Sequence, residues 1–168
     1  MTNASLLDLQ KEVMHEFPRF RVRYKSDVWW MRALGCFMGK RFMDSFLTTI
    51  RNTVYLPRFW GTWIPETQCA LLRHERVHMR QARRVTFPLF AFLYALVFFP
   101  IGLAWFRARF EKEAYEEEIV AWKEYGMDYA GARDRLVGYF TGSAYGWMWP
   151  FKKSMERWFD GVVSRLRA

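Results

Sequence analysis

Five consecutive residues, His74-Glu75-Arg76-Val77-His78, have the types and spacing needed to hydrolyse an amide bond. In an α-helix, side chains four positions apart lie one above the other, so His74 and His78 can aim two imidazole nitrogens at one metal ion. Glu75 falls beside that ion rather than on it, where a carboxylate can take a proton from water and hand it to a leaving amine. Zinc is the ion such a set calls for, because it accepts mixed nitrogen and oxygen ligands with no geometric preference of its own. With three His and 11 Glu in 168 residues, a chance H-E-x-x-H has a probability of about 0.003. The bland alternative is a pair of surface histidines on a solvated helix.

A catalytic zinc takes three protein ligands and keeps one position open. The third histidine, His15, and both cysteines, Cys36 and Cys69, lie upstream of the motif. The third donor is therefore expected from the acidic run downstream, where Glu111, Glu113, Glu116, Glu117 and Glu118 share one predicted helix. Helix geometry favours Glu113, with Glu117 four residues on as its orienting acid, on a stripe shared with Phe106, Phe110 and Ala121. Most of these glutamates must form a solvated face, so one or at most two are special.

The run L-L-R-H-E-R-V-H-M-R-Q, followed by F-E-K-E-A-Y-E, resembles the gluzincin class of HExxH peptidases, and in particular the compact minigluzincin-type domains, over residues 46–125. The resemblance implies a His, His, Glu site completed from a later helix. Laid on Glu111-Lys112-Glu113-Ala114-Tyr115, the E-x-x-A-D pattern of the family selects Glu111, with Tyr115 where the family carries Asp. Glu111 is the expected third ligand on that pattern, and Glu113 stands as the alternative. Tyr94, Tyr115 and Tyr145 are candidate oxyanion donors, and their spacing does not choose among them.

These side chains need elements to position them. Leu6, Leu7, Leu9, Val13, Met14 and Phe17 recur near helical spacing before Pro18, and residues 19–24 then alternate basic with apolar side chains, as a half-buried strand does. Residues 28–46, rich in aromatics and Met around Gly35 and Gly39, give no settled assignment. The run FLTTIRNTVYL, residues 46–56, predicts a hairpin turning at Arg51-Asn52. The motif helix is expected to open near Pro65 with Thr67 as its N-cap, carrying Ala70, Leu71, His74, Val77 and His78 on one face. A second helix is expected over residues 105–125, stopped by Gly126, and the tail reads as a short helix, a Gly- and aromatic-rich loop and a final basic amphipathic helix.

Residues 87–106 are apolar throughout and long enough to span a bilayer on length alone, but Pro88, Pro100 and Gly102 interrupt them. A straight crossing would put His78 and Glu111 on opposite sides of a membrane, where they could not share a metal. The segment is therefore read as a helical hairpin turning at Pro100-Ile101-Gly102, an interfacial insertion, or a buried core element.

The expected fold is α+β: a mainly helical zincin-like domain with a small sheet or hairpin packed on the HExxH helix. One domain is expected over residues 1–168, with an N-terminal helix and strand region at 1–45, a core at 46–125 and a helical tail at 126–168. A hydrophobic share of 52% with 20% aromatics excludes a disordered chain. Two cysteines with neither a CxxC pair nor a nearby histidine exclude a disulfide framework and read as small buried hydrophobes. The N-terminus lacks a basic region followed by an unbroken apolar run, so no signal peptide is evident; a cytoplasmic protein is expected, peripheral to a membrane if the apolar segment is interfacial.

The leading functional expectation is a zinc (Zn2+) metallopeptidase, with Glu75 as general base, whose peptide or protein substrate pairs with the edge of the strand before the motif helix. The alternative is a non-catalytic zinc protein that acts by binding, at a membrane surface or in a larger assembly. A net charge of +9 and nine Trp favour that second class. Nucleic acid is disfavoured as a partner, because no recognised binding motif accompanies the basic residues.

Overall fold

In the computed structural model, residues 3–95, 104–143 and 147–168 are described. The fold is mainly helical α+β, with one small mixed sheet. The chain divides into two compact units, Met1–Met79 and Arg80–Ala168.

The first unit opens with α1 (Asn3–Glu16), which buries Leu9 and Val13, with Phe17 buried just past its end, and leaves Leu7 and Met14 in solvent. The helical spacing of the apolar residues thus sorts into an inner stripe and an outer remainder. Strand β1 (Arg21–Tyr24) follows, then α2 (Trp29–Met38) and α3 (Lys40–Asp44), joined at Gly39 with a φ of 83°, a left-handed turn that a side chain would strain. Helix α2 buries little besides Met31 and Gly35. Met31 joins Val28, Phe42 and Tyr55 in a small core, with Trp30, Met43 and Ile50 packed around it. Cys36 lies one residue past Gly35 and is exposed, so the expectation of two buried cysteines holds for Cys69 alone.

Strands β2 (Thr48–Ile50) and β3 (Thr53–Leu56) form the expected hairpin, and Arg51 takes the positive φ, 55°, at its turn. Strand order is β1-β3-β2, with β1 parallel to β3 and β2 antiparallel to it. Strand β3, the one just before the motif helix, is therefore hydrogen-bonded on both sides and has no edge to offer a peptide. The edges belong to β1 and β2. Strand β1 was expected to be half-buried, yet all four of its residues are exposed. An edge strand with one neighbour has less to pack against than the alternation alone suggests.

Helix α4 (Pro65–Val85) is continuous and carries the boundary between the units. It begins at Pro65, whose fixed φ suits the first helical position and whose missing N–H is no loss there. Thr67, the expected N-cap, therefore lies inside the helix. The loop ahead is tied down by Gln68, whose Nε2 donates to the Trp60 carbonyl at 2.7 Å. Thr86, with a φ of 68°, breaks the chain away from α4.

The second unit contains α5 (Phe87–Ala95), α6 (Trp105–Glu124), α7 (Arg133–Thr141) and α8 (Lys152–Arg167). Helix α6 stops as expected: Gly126 takes a φ of 69° and Met127 N–H bonds back to the Trp122 carbonyl at 2.8 Å. Helices α7 and α8 close on each other through Leu136, Val137 and Phe140 on one side and Met155, Phe159 and Val162 on the other, all buried. Arg133 clamps Asp160 at 2.8 and 3.0 Å at the rim of that contact. Of the apolar run 87–106, residues 87–95 are α5 and 105–106 begin α6, while the proposed turn at Pro100-Ile101-Gly102 lies outside the described residues. No helix of the described residues is long and apolar enough to cross a membrane.

Candidate metal centre

Helix α4 is buried around most of its circumference: Cys69, Ala70, Leu72, Val77 and Met79 are buried together with His74, Glu75 and His78. The side opposite the histidines is held to α1 within the first unit: Arg76 Nε donates to Glu16 at 2.7 Å and Arg76 Nη1 to Glu12 at 3.3 Å. Arg76, two residues past His74, thus points away from the histidines and fixes the rotation of the helix that presents them. Three titratable side chains on an apolar face need partners, because unpaired buried polar groups cost several kcal/mol in apolar surroundings, roughly 2–7 by transfer data.

The two imidazoles meet. His74 Nε2 and His78 Nε2 lie 3.1 Å apart, with ring centroids 4.9 Å apart and the planes crossed at 74°. Two nitrogens bound to one tetrahedral zinc at about 2.05 Å stand roughly 3.3 Å apart, so the pair is already at the separation that shared ligation requires. In the absence of metal the same contact is satisfied by one Nε2–H donating to the other nitrogen; to ligate, both rings must carry their proton on Nδ1.

Helix α6 buries Ala108, Glu111, Ala114, Tyr115, Glu118, Ile119, Ala121 and Trp122. Glu111 is 1% exposed. Among the described residues, His74, His78 and Glu111 offer ligand atoms that all lie within 4.8 Å of one another, and all three are buried. This set has two imidazole nitrogens and one carboxylate in a buried setting, the composition of a site for a divalent cation.

Glu113, two residues on, faces elsewhere. It is exposed, accepts from Gln81 Nε2 at 3.0 Å and forms an ion pair with Arg84 at 3.0 Å. Gln81 Nε2 also donates to the Phe110 carbonyl at 3.0 Å, so the last turns of α4 are stitched to α6 immediately before Glu111. Of the stripe expected to carry Glu113 and Glu117, Ala121 is buried and Phe110 half-buried, but Phe106 and Glu113 are exposed and Glu117 only half-buried, whereas Glu111 and Glu118, seven residues apart, point inward.

Of the three tyrosines, Tyr94 donates its hydroxyl to Glu111 Oε1. Tyr115 is buried with its ring stacked on Tyr139 at 6.2 Å and set against Phe140 at 5.6 Å. Tyr145 lies outside the described residues.

Lys25, one residue past β1, follows a run of exposed basic residues yet is wholly buried. Its Nζ donates to the Phe42 carbonyl at 2.6 Å and the Phe46 carbonyl at 2.7 Å, and lies 3.8 Å above the Phe42 ring. Burial lowers its pKa to about 8, and the negative charge of Glu75 acts in the opposite direction. The signal that could have marked it is its position one residue past a strand, before an apolar helix, where an alternating pattern no longer governs direction. No protein-family model, curated protein or solved structure matches this chain.

Proposed function

We propose that this protein is a zinc-dependent hydrolase of the gluzincin type that cleaves a peptide or amide bond. The observation that carries the reading is the buried His74, His78 and Glu111 set, with ligand atoms within 4.8 Å of one another, next to the buried Glu75. Bound there, zinc supplies Lewis acidity toward water and the scissile carbonyl. His74 and His78 would hold the ion through their imidazole nitrogens and Glu111 through its carboxylate. Glu75 follows His74 directly, so its carboxylate sits beside the ligands without being one of them; it takes the proton of the attacking water and delivers it to the leaving nitrogen. Burial keeps bulk water from competing for that proton. A substrate strand pairs with an edge of the sheet, β1 or β2, since β3 already has both its neighbours.

The test is Glu75→Gln. The variant keeps one zinc per chain and loses hydrolysis of a peptide library by at least about a hundredfold, the lower range for a missing general base. Hydrolysis that survives the substitution ends the catalytic reading.

A second reading rests on a separate observation. Helix α2 leaves Trp29 73% and Phe37 90% exposed, with Leu34 and Met38 also in solvent beside Arg32, Lys40 and Arg41. Such a face suits a membrane surface or a larger assembly. Zinc retained in a protein that cleaves nothing, together with binding to anionic vesicles that Phe37→Ser weakens, supports this reading over the first.

A further inference from the structure

A glutamate ligand has three rotatable bonds, so burial alone does not decide where its oxygens stand. Its backbone and its carboxylate are fixed here by different elements. At the backbone, Gln81 of α4 donates to the carbonyl of Phe110, the residue before Glu111. At the carboxylate, the hydroxyl of Tyr94 from α5 donates to Glu111 Oε1. Tyr94 is itself held: its ring packs on Phe90 at 5.4 Å, Phe90 packs on Phe110 at 5.1 Å, and the Arg107 guanidinium covers the Tyr94 ring at 4.9 Å.

We infer that Tyr94 is the positioning residue for Glu111, setting the carboxylate for a divalent cation, and is not the oxyanion donor. The inference rests on the zinc reading above. Its chemistry is that of a neutral donor: a phenol lends a hydrogen bond without bringing a compensating charge, so it orients a ligand while leaving its anionic character to the metal. Tyr94 acts through Glu111, and its hydroxyl is committed there.

The experiment is Tyr94→Phe in the full chain, alone and combined with Glu111→Gln. Zinc affinity is measured by competition with a chromophoric chelator, and the visible spectrum is recorded after loading with cobalt. Loss of one hydrogen bond to a ligand weakens zinc binding roughly 10- to 100-fold and shifts the cobalt bands, whereas melting of the metal-free protein stays near that of the parent. In the Glu111→Gln background the second substitution changes affinity no further, because the group it acts on is gone. Equal affinity and an unshifted cobalt spectrum overturn the proposal, as does an equal loss in the Glu111→Gln background, which would mean that Tyr94 acts elsewhere. Loss of affinity that merely follows a lower melting temperature of the metal-free protein also overturns it, since that is structural support. A parent chain that binds no zinc is a different failure, that of the reading beneath.

Discussion

Lys25 and Glu111 are buried to nearly the same degree, 0% and 1% exposed, yet their surroundings differ in kind. The Lys25 ammonium is answered inside the protein by two backbone carbonyls and the face of Phe42. These partners are fixed and neutral, and together they tie the end of β1 to the chain leading into β2. Glu111 is met by a neutral phenol and shares its neighbourhood with two imidazoles whose nitrogens crowd each other at 3.1 Å. One arrangement is complete without anything added. The other gathers two imidazoles and a carboxylate whose ligand atoms lie within 4.8 Å of one another, a donor set of the kind that holds a divalent cation. Burial of an ionisable group is therefore no signature of function by itself; what separates the two is whether other potential metal ligands converge on it.

The largest expected effect tests the second half of that comparison. Glu111→Gln is close in size and keeps an oxygen, but it removes the charge that a divalent ion needs. Zinc affinity should fall by more than about 100-fold, beyond the 10- to 100-fold range of an outer-sphere loss. Equilibrium competition with a chelator checks this, and parent-like affinity in the variant would place Glu111 with the structural residues.

Lys25 tests the first half through pH. Its pKa lies at about 8, below the ordinary lysine value of 10.5. The folded protein thus gives up this proton earlier than the unfolded chain does. Between pH 8 and 10.5 the unfolded state holds more proton, so stability rises with pH across that window. The burial penalty, about 3 kcal/mol at 1.36 kcal/mol per unit, is present in full below pH 8 and relieved above it. In Lys25→Met that rise disappears, so the parent should gain up to about 3 kcal/mol on the variant between pH 7.5 and 10.5 in denaturant titrations. Parallel stability curves for the two proteins would mean that Lys25 is not held charged and buried.

Much of this was legible beforehand, for physical reasons that differ by segment. The hairpin of β2 and β3 announced itself because two β-rich runs flank a two-residue turn. The motif helix and the acidic helix carry enough polar residues to give their apolar faces contrast. Glu111 emerged from a family pattern, whereas helix periodicity pointed to Glu113. That periodicity misled because Phe106 and Phe110 look like an inner stripe by composition, while the buried stripe runs through Ala108, Glu111, Ala114 and Tyr115. Helix α2 could not be read, because apolar residues surround it on all sides and only Met31 and Gly35 turn inward. Tyr94 was one of three candidate tyrosines and could not be singled out for the same reason: in a run without polar punctuation, no period says which way a side chain faces. Lys25 needed tertiary structure outright, because its two acceptors lie 17 and 21 residues away.

The smallest expected effect sharpens the division between the two neighbouring glutamates. Glu113 and Arg84 form an ion pair with side chains 47% and 66% exposed. Water screens such a pair and both long side chains lose freedom on forming it, so its worth is under about 1 kcal/mol. Glu113→Gln should therefore lower stability by less than that, and the loss should shrink further in 0.5 M salt as the remaining attraction is screened. Zinc affinity should stay within about twofold of the parent, because the glutamine can still accept from Gln81 and hold the α4 to α6 contact that precedes Glu111. A large loss of zinc in Glu113→Gln, with Glu111→Gln unaffected, would exchange the roles of the two residues and put the ligand on the face that helix periodicity alone had favoured.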